Sequence, residues 1–399
     1  MRILFLSTSM GLGGADQQLL SAARVLHAHG HQILIVSLTP LGPMGLQARS
    51  LGLRTESLEM RRGIPDPRGL LQLARIVRDW KPDVVHSHMV HANLMGRALR
   101  MLAPVPVLVS TIHNIYEGGA LLMAAYRMTN RLVDHMTIIS EAAADRFIRE
   151  RIVPRERLTV VPNGIDTERL GNLPPGSRES LRDSVGLRHQ EFAWLAVGRF
   201  EEAKDYPNML RGFAQLRRRQ PTAVLLLVGR GSLQAETEAL VRELDLDGAV
   251  RFLGVRDDVP MVMSGADGYV MSSAWEGMPM VLLEAAAAGL PIVATRVGGN
   301  HEVVRPEETG FLVPPGDPAA LGQAMLRLME LPEAQRRAMG ERGREHVRTN
   351  YGLDRVTERW EGLYRQARAR KGLTLDTTAP PPDADQLSAV GEPGAGGHR

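Results

Sequence analysis

Two glutamates, Glu276 and Glu284, bracket the stretch E-G-M-P-M-V-L-L-E and are followed by A-A-A-A-G-L-P-I-V-A-T-R-V-G-G-N. With Pro279 as an early helical residue, Glu276 falls in the turn before a helix and Glu284 in its second turn. The amides around Met278, Met280, Val281 and Leu282 then include N-terminal donors without intrahelical acceptors, which suit a diphosphate. A carboxylate inside such a helix can accept two hydrogen bonds from a ribose diol. Glu276, just before the helix, could touch a sugar or fix the loop. The bland alternative is a capping acid and a solvated glutamate. It fits Glu284 poorly, because V-L-L and A-A-A-A on either side imply burial.

A second pair of interest is Arg199 and Lys204, in G-R-F-E-E-A-K-D after a strand-like run. Two cations in one loop can neutralise the charge that grows on a departing diphosphate. Lys204 is one of only three lysines, with Lys81 and Lys371, among 48 basic residues. His113 and Asn114 likewise follow a strand-like run. His86 and His88 alternate near a strand end with His91 beyond, but no carboxylate joins them, so a metal site is disfavoured. The D-x-D matches at Asp245/Asp247 and Asp383/Asp385 read as chance. Nothing here requires a metal or another cofactor.

These residues need a frame that brings strand ends together. Residues 2–7 read as a buried strand, Gly11, Gly13 and Gly14 as a loop, 16–29 as a helix and 31–38 as a second strand. Strands at 83–87, 105–111, 135–140 and 158–162 continue the series, with helices between. Periodicity breaks around N-G-I-D (163–166) and L-P-P-G-S (173–177), the expected linker. A second series has strands at 192–198, 223–229, 250–254, 268–271, 291–295 and 310–313. The expected fold is α/β: two doubly wound, Rossmann-like domains, 1–170 and 171–354, with a last helix near 355–372 packing back on the first. Residues 373–399, rich in Pro, Gly and Ala, are expected to be disordered. Ligands of open parallel sheets bind beyond the strands' carboxyl ends, where the polar residues above fall, so both domains should face one cleft. The loop G-L-G-G-A-D departs from the dinucleotide fingerprint: Asp16 stands where a third Gly or Ala belongs, and the second strand ends without an acid.

Composition narrows the classes. The 399 residues suit two domains, and 44% apolar content supports a folded interior. The absence of cysteine excludes disulfides and thiolate-held metals and favours a reducing compartment. The apolar run at the start is short for a signal peptide, and no membrane span is expected, so the expected location is cytoplasmic. Residues 1–170 carry 20 Arg and Lys against 14 Asp and Glu, a net +6. That bias suits a phosphate-bearing acceptor or an anionic membrane surface, rather than nucleic acid.

The chain resembles the retaining glycosyltransferases of family 4, which have the GT-B fold. The resemblance is carried by G-G-A-D, D-V-V-H-S-H, T-I-H-N, V-P-N-G-I-D, V-G-R-F…K-D, L-L-V-G-R-G, V-R-F-L-G, E-G-M-P-M-V-L-L-E-A and V-G-G-N-H-E-V-V, across most of residues 1–370. It implies that Glu284 binds the ribose, and that Glu276 and the backbone of Gly277, Met278, Pro279 and Met280 meet the donor sugar. Val281 and Leu282 amides would lie near the phosphates, which Arg199 and Lys204 would hold. Gly13 and Gly14 would approach from the other domain, His113 would position the donor sugar, and Val255 and Arg256 would meet the base. Transfer would be front-face and need no metal. The family often has Glu where this chain has Asp16. Tyr116 and Glu117 lie on the acceptor side, and Arg61, Arg62, Arg97, Arg100, Arg127 and Arg131 could form a basic face toward anionic lipid. The implied reaction moves a hexose or N-acetylhexosamine from a nucleotide sugar, by family habit UDP-linked, to a lipid-linked or surface-polysaccharide acceptor. A nucleotide-sugar epimerase and a non-catalytic nucleotide-sugar sensor are the alternatives.

Overall fold

β1 (Arg2–Ser7) buries five of its six residues, and the near-continuous apolar runs of its neighbours do the same, as strands covered on both faces must. The computed structural model describes residues 1–373 apart from 62, 64, 65, 116 and 172. Arg62, Tyr116, Asp383, Asp385 and nearly all of the 373–399 segment therefore lie outside the described residues.

The other strands are β2 (Gln32–Ser37), β3 (Arg54–Ser57), β4 (Val84–His88), β5 (Val107–Ile112), β6 (His135–Ile138), β7 (Leu158–Val160), β8 (Phe192–Val197), β9 (Ala223–Val228), β10 (Val250–Gly254), β11 (Gly268–Met271), β12 (Ile292–Thr295) and β13 (Gly310–Val313). They form two sheets, ordered β3-β2-β1-β4-β5-β6-β7 and β10-β9-β8-β11-β12-β13. The strand pairs β1–β2, β1–β4, β8–β9 and β8–β11 are parallel. Helices connect the strands, as parallel crossovers require.

Strand order reverses beside β1 in the first sheet and beside β8 in the second. There, successive connections leave in opposite directions and open a crevice at the strands' carboxyl ends. The β8/β11 reversal decides the site described below, because it sets the loops after those two strands side by side.

The chain divides into two compact units. One comprises Met1–Thr111, Gly118–Met136 and Trp360 onward, and the other Ile112–Glu117 and Thr137–Arg359. Residues 137–170 fall in the second unit by this division, while β7 within them continues the first sheet, whose domain the sequence reading runs to 170. The helix Leu353–Ala369 runs from one unit into the other. Within the first unit Tyr364 Oη lies 2.6 Å from His86 Nδ1, and His86 Nε2 lies 2.6 Å from Thr111 Oγ1. His86 is a core histidine whose two ring nitrogens are engaged by hydroxyls, not a metal ligand. Arg368 Nη1 reaches Asp83 Oδ1 at 2.6 Å in the same unit.

Two further readings of the basic residues change. Arg97 is fully buried, donating through Nη1 to the Tyr126 carbonyl (3.0 Å) and Thr129 Oγ1 (2.7 Å), with its guanidinium over the Tyr126 ring. Arg100 is ion-paired with Asp134. Neither is part of a lipid-facing surface.

Candidate active site

The loop after β8 is shaped by glycine. Gly229, at φ +139°, lies so close to Gly198 that a Cβ on it would stand 2.0 Å from the Gly198 carbonyl oxygen; one on Gly231 would stand 2.3 Å from that of Phe200. The loops after β8 and β9 therefore pack backbone to backbone, joined by Phe200 N–H donating to the Arg230 carbonyl (3.3 Å). The chain then turns through Glu202–Lys204 into the helix Tyr206–Arg219, which Asp205 caps by accepting from Asn208 N–H at 3.2 Å. Gly198 leaves room for the Lys204 stem, whose Cε would be 3.3 Å from an added Cβ.

The loop after β11 is fastened to this turn. Ser272 Oγ lies 2.7 Å from the Lys204 carbonyl and 2.9 Å from that of Asp205, and Ala274 N–H donates to the Ala203 carbonyl at 2.9 Å. The side chains then meet: Lys204 Nζ and Glu276 Oε1 are 2.6 Å apart, with side-chain exposures of 22% and 13%. Ser273 Oγ donates to the same Oε1 at 2.8 Å. Arg199 shares the loop but is 73% exposed and paired with Glu201 (3.0 Å), not with Glu276.

Pro279 is the N-cap residue of the helix Met280–Ala287, one position before the expected place, and Glu284 lies half-buried in the second turn. The Leu282 N–H donates to the Pro279 carbonyl at 3.1 Å, which removes it from the phosphate donors expected of this segment. Asn163 Nδ2 holds the Met278 carbonyl at 2.9 Å.

The double glycine lies against this turn. Gly298, at φ +49°, brings its Cβ position to 2.0 Å from the Glu276 carbonyl oxygen, and Gly299 N–H donates to the Gly277 carbonyl at 2.7 Å. Gly298→Ala should therefore displace the Glu276 backbone. We expect a lowered melting temperature together with lost activity, read by thermal melts and turnover on the same preparation; an unchanged melt would contradict this packing.

Gly277 also lies against the His113 segment: a Cβ there would be 2.9 Å from the His113 carbonyl oxygen. Glu117 accepts from His113 N–H at 2.9 Å and is buried, so it shapes this loop. Burial pushes the His113 imidazole down to about 4, which keeps it neutral near pH 7. Val255, exposed, and Arg256 follow Gly254, whose carbonyl accepts from Gly229 N–H at 2.8 Å; Arg256 Nε and Nη2 donate to Asp258, at 2.7 and 2.6 Å.

Gly13 and Gly14 belong to the first unit, where Gly13 caps the helix Gly14–Ala28. Asp16 Oδ2 accepts from Gly13 N–H at 3.3 Å, and burial raises the Asp16 carboxyl to about 6 against the loop's hydrogen bonds. The raised value means that its favourable contribution is full below about pH 4 and is lost as pH rises through about 6. Asp16→Asn should match the parent's stability near pH 4 and exceed it near pH 7, by up to roughly 3 kcal/mol for a shift of about two units. Melts across pH 4–7 check this; a pH-independent difference would contradict it.

The sequence reading named Arg199, Lys204, Glu276 and Glu284. It missed Ser272, Ser273 and Asn163. The available signal was the serine doublet directly after a buried strand, where small polar side chains fold back onto loops. Among the described residues, no group of three His, Cys, Asp or Glu is placed to hold a metal ion.

Comparison with known proteins bears on this geometry. Residues 12–169 match the model of Glycosyltransferase Family 4, and residues 177–346 that of Glycosyl transferases group 1. A glycogen synthase of Mycobacterium tuberculosis is 30% identical, over 86% of this chain and 90% of its own length. The chain belongs to glycosyltransferase family 4. This glycosyltransferase is also 28% identical to the UDP-Gal:alpha-D-GlcNAc-diphosphoundecaprenol alpha-1,3-galactosyltransferase of Escherichia coli, over 67% of this chain and 71% of the relative. Its fold is GT-B: the crystal structure of HepE from Anabaena in complex with UDP superposes with a TM-score of 0.82 at 22% identity, covering 92% of this chain and all of that one. Among the described residues of the glycosyltransferase, no helix is long and apolar enough to cross a membrane.

Proposed function

We propose that this glycosyltransferase takes a hexose or N-acetylhexosamine from a UDP-sugar and transfers it, with retention at the anomeric carbon and without a metal, to a lipid-linked or surface-polysaccharide acceptor. The observation that carries the proposal is the Lys204–Glu276 pair at the strand-order reversal of the second sheet. It puts a cation and a carboxylate at the place where an open parallel sheet binds its ligand. The E. coli relative, whose name specifies UDP-Gal and a diphosphoundecaprenol-linked acceptor, supports the donor and acceptor classes.

In this reading Lys204 and Arg199 neutralise the diphosphate, supplying charge that a metal ion would otherwise bring. The amide of Val281, at the start of its helix, adds a phosphate donor. Glu284 accepts from the ribose hydroxyls, and Val255 and Arg256 border the base. Glu276, with the backbone of Gly277, Met278, Pro279 and Met280, meets the donor sugar. His113, kept neutral, positions that sugar by hydrogen bonding. Gly13 and Gly14 of the first unit add contacts to the phosphates. As the C1–O bond to the diphosphate breaks, the acceptor oxygen bonds C1 from the same face, and its proton passes to the leaving diphosphate.

The test is incubation with UDP-hexoses and UDP-N-acetylhexosamines, with and without a diphospholipid-linked saccharide. NMR of the product's anomeric proton should show the donor's configuration. Sugar isomerisation without acceptor would instead indicate an epimerase, and nucleotide binding without turnover a sensor.

The membrane part of the proposal rests on the first unit. Arg61, Arg127 and Arg131 are exposed, as are Leu121 (84%) and Met128 (83%) on the helix Ala120–Thr129. Leu121 and Met128 are one heptad apart and share a face. Binding to anionic vesicles should be measurable at low salt and weaken with added salt, within a screening length of about 10 Å at 0.1 M. Sedimentation showing no binding at low salt would remove this part alone.

A further inference from the structure

Glu276 Oε1 accepts from both Lys204 Nζ (2.6 Å) and Ser273 Oγ (2.8 Å), so the protein spends one carboxylate oxygen twice. Those two partners differ in what they can do next. Lys204 is the cation assigned to the diphosphate, so a bound donor draws on its charge and its N–H groups. Ser273 is fully buried, and its backbone carbonyl is fixed by Thr295 Oγ1 at 2.7 Å. Thr295 closes β12, and the buried Asn300 holds the Thr295 carbonyl at 2.9 Å. The Ser273 hydroxyl is therefore built onto the sheet itself, while the lysine is a flexible arm.

We infer that Ser273 is a positioning residue for Glu276, fixing Oε1 when Lys204 turns to the donor diphosphate and so reserving Oε2 for a hydroxyl of the transferred sugar. The inference rests on the reading of Glu276 as a sugar contact. Ser273 acts through Glu276 and touches no substrate. A carboxylate with one oxygen anchored has a defined plane. Without the anchor it rotates about its own bonds once the lysine is drawn away, and the sugar is held in a spread of orientations.

The test uses Ser273→Ala and Ser273→Thr in the full chain, with turnover, nucleotide affinity and melting temperature measured on each. In Ser273→Ala, kcat should fall about 10- to 100-fold, the scale of one hydrogen bond to a charged group. UDP affinity by calorimetry should stay within about threefold and the melting temperature within about 2 °C, because the Lys204–Glu276 pair still holds the empty site. Ser273→Thr, which keeps the hydroxyl, should recover most of the lost kcat. An unchanged kcat in Ser273→Ala would overturn the inference. So would a loss shared equally by kcat, UDP affinity and melting temperature that threonine does not rescue, since that pattern marks a packing role. Absence of both UDP binding and turnover in the parent protein would instead bring down the site reading, and the inference with it.

Discussion

Lys204→Ala should lower sugar transfer by about a thousandfold while leaving the protein folded. Lys204 stands at the strand-order reversal with its ammonium 2.6 Å from Glu276. Charge on the diphosphate grows as the bond to the sugar breaks, so a cation placed there acts more strongly on the transition state than on the bound donor. Removing one preorganised group of this kind costs about 10²–10³ in kcat. The change also takes from Glu276 the cation that neutralises it and leaves the Ser273 hydroxyl on its Oε1, so its carboxylate is less well balanced. Lys204→Arg should recover only part of the loss. Guanidinium is planar and broader than ammonium, and the Lys204 stem runs close over Gly198. Steady-state kinetics with circular dichroism on each variant checks the pair. Near-normal turnover in Lys204→Ala would contradict the site.

Glu284→Ala should act on binding. Glu284 lies half-buried in the second turn of the helix Met280–Ala287, with buried Leu283 and Ala285 on either side. If both its oxygens accept from the ribose, each charge-assisted bond contributes about 1.5–3 kcal/mol, and nucleotide affinity should fall at least a hundredfold. Comparison of UDP with 2′-deoxy-UDP isolates the contact. The parent protein should discriminate strongly between them, and Glu284→Ala hardly at all. Equal discrimination by both proteins would show that Glu284 does not touch the diol.

What the sequence exposes and what it hides follow from which forces act locally. The central strands are legible because both faces of a parallel sheet are covered, and their apolar runs have few other uses. β3 was not anticipated: R-T-E-S is a short edge strand with only Thr55 buried, so it carries almost no hydrophobic signature. The short helix Pro43–Ser50, with only Gly45 and Ala48 buried, was missed for the same reason. Glu276 and Glu284 could be placed about the start of one helix because proline and helical period are local properties. Their partners could not be placed. Lys204 lies 72 residues from Glu276 in sequence and meets it only because β8 and β11 are neighbours in the sheet. Gly298 and Gly299 looked like loop glycines; their actual constraint is the backbone of Glu276 and Gly277 against which they pack. Arg97 misled in the other direction. A count of basic residues treats every arginine as surface, yet this one is buried, with Nη1 donating to the Tyr126 carbonyl and Thr129 Oγ1 and its guanidinium over the Tyr126 ring.

Calorimetric titration with UDP, GDP and ADP, each with and without EDTA, tests the central claim most directly. The claim is that the crevice at Lys204, Glu276 and Glu284 holds a nucleoside diphosphate by side chains and backbone. It predicts micromolar binding of UDP, unchanged by EDTA and lost in Glu284→Ala. Binding of none of the three, or UDP binding that EDTA abolishes, would contradict it.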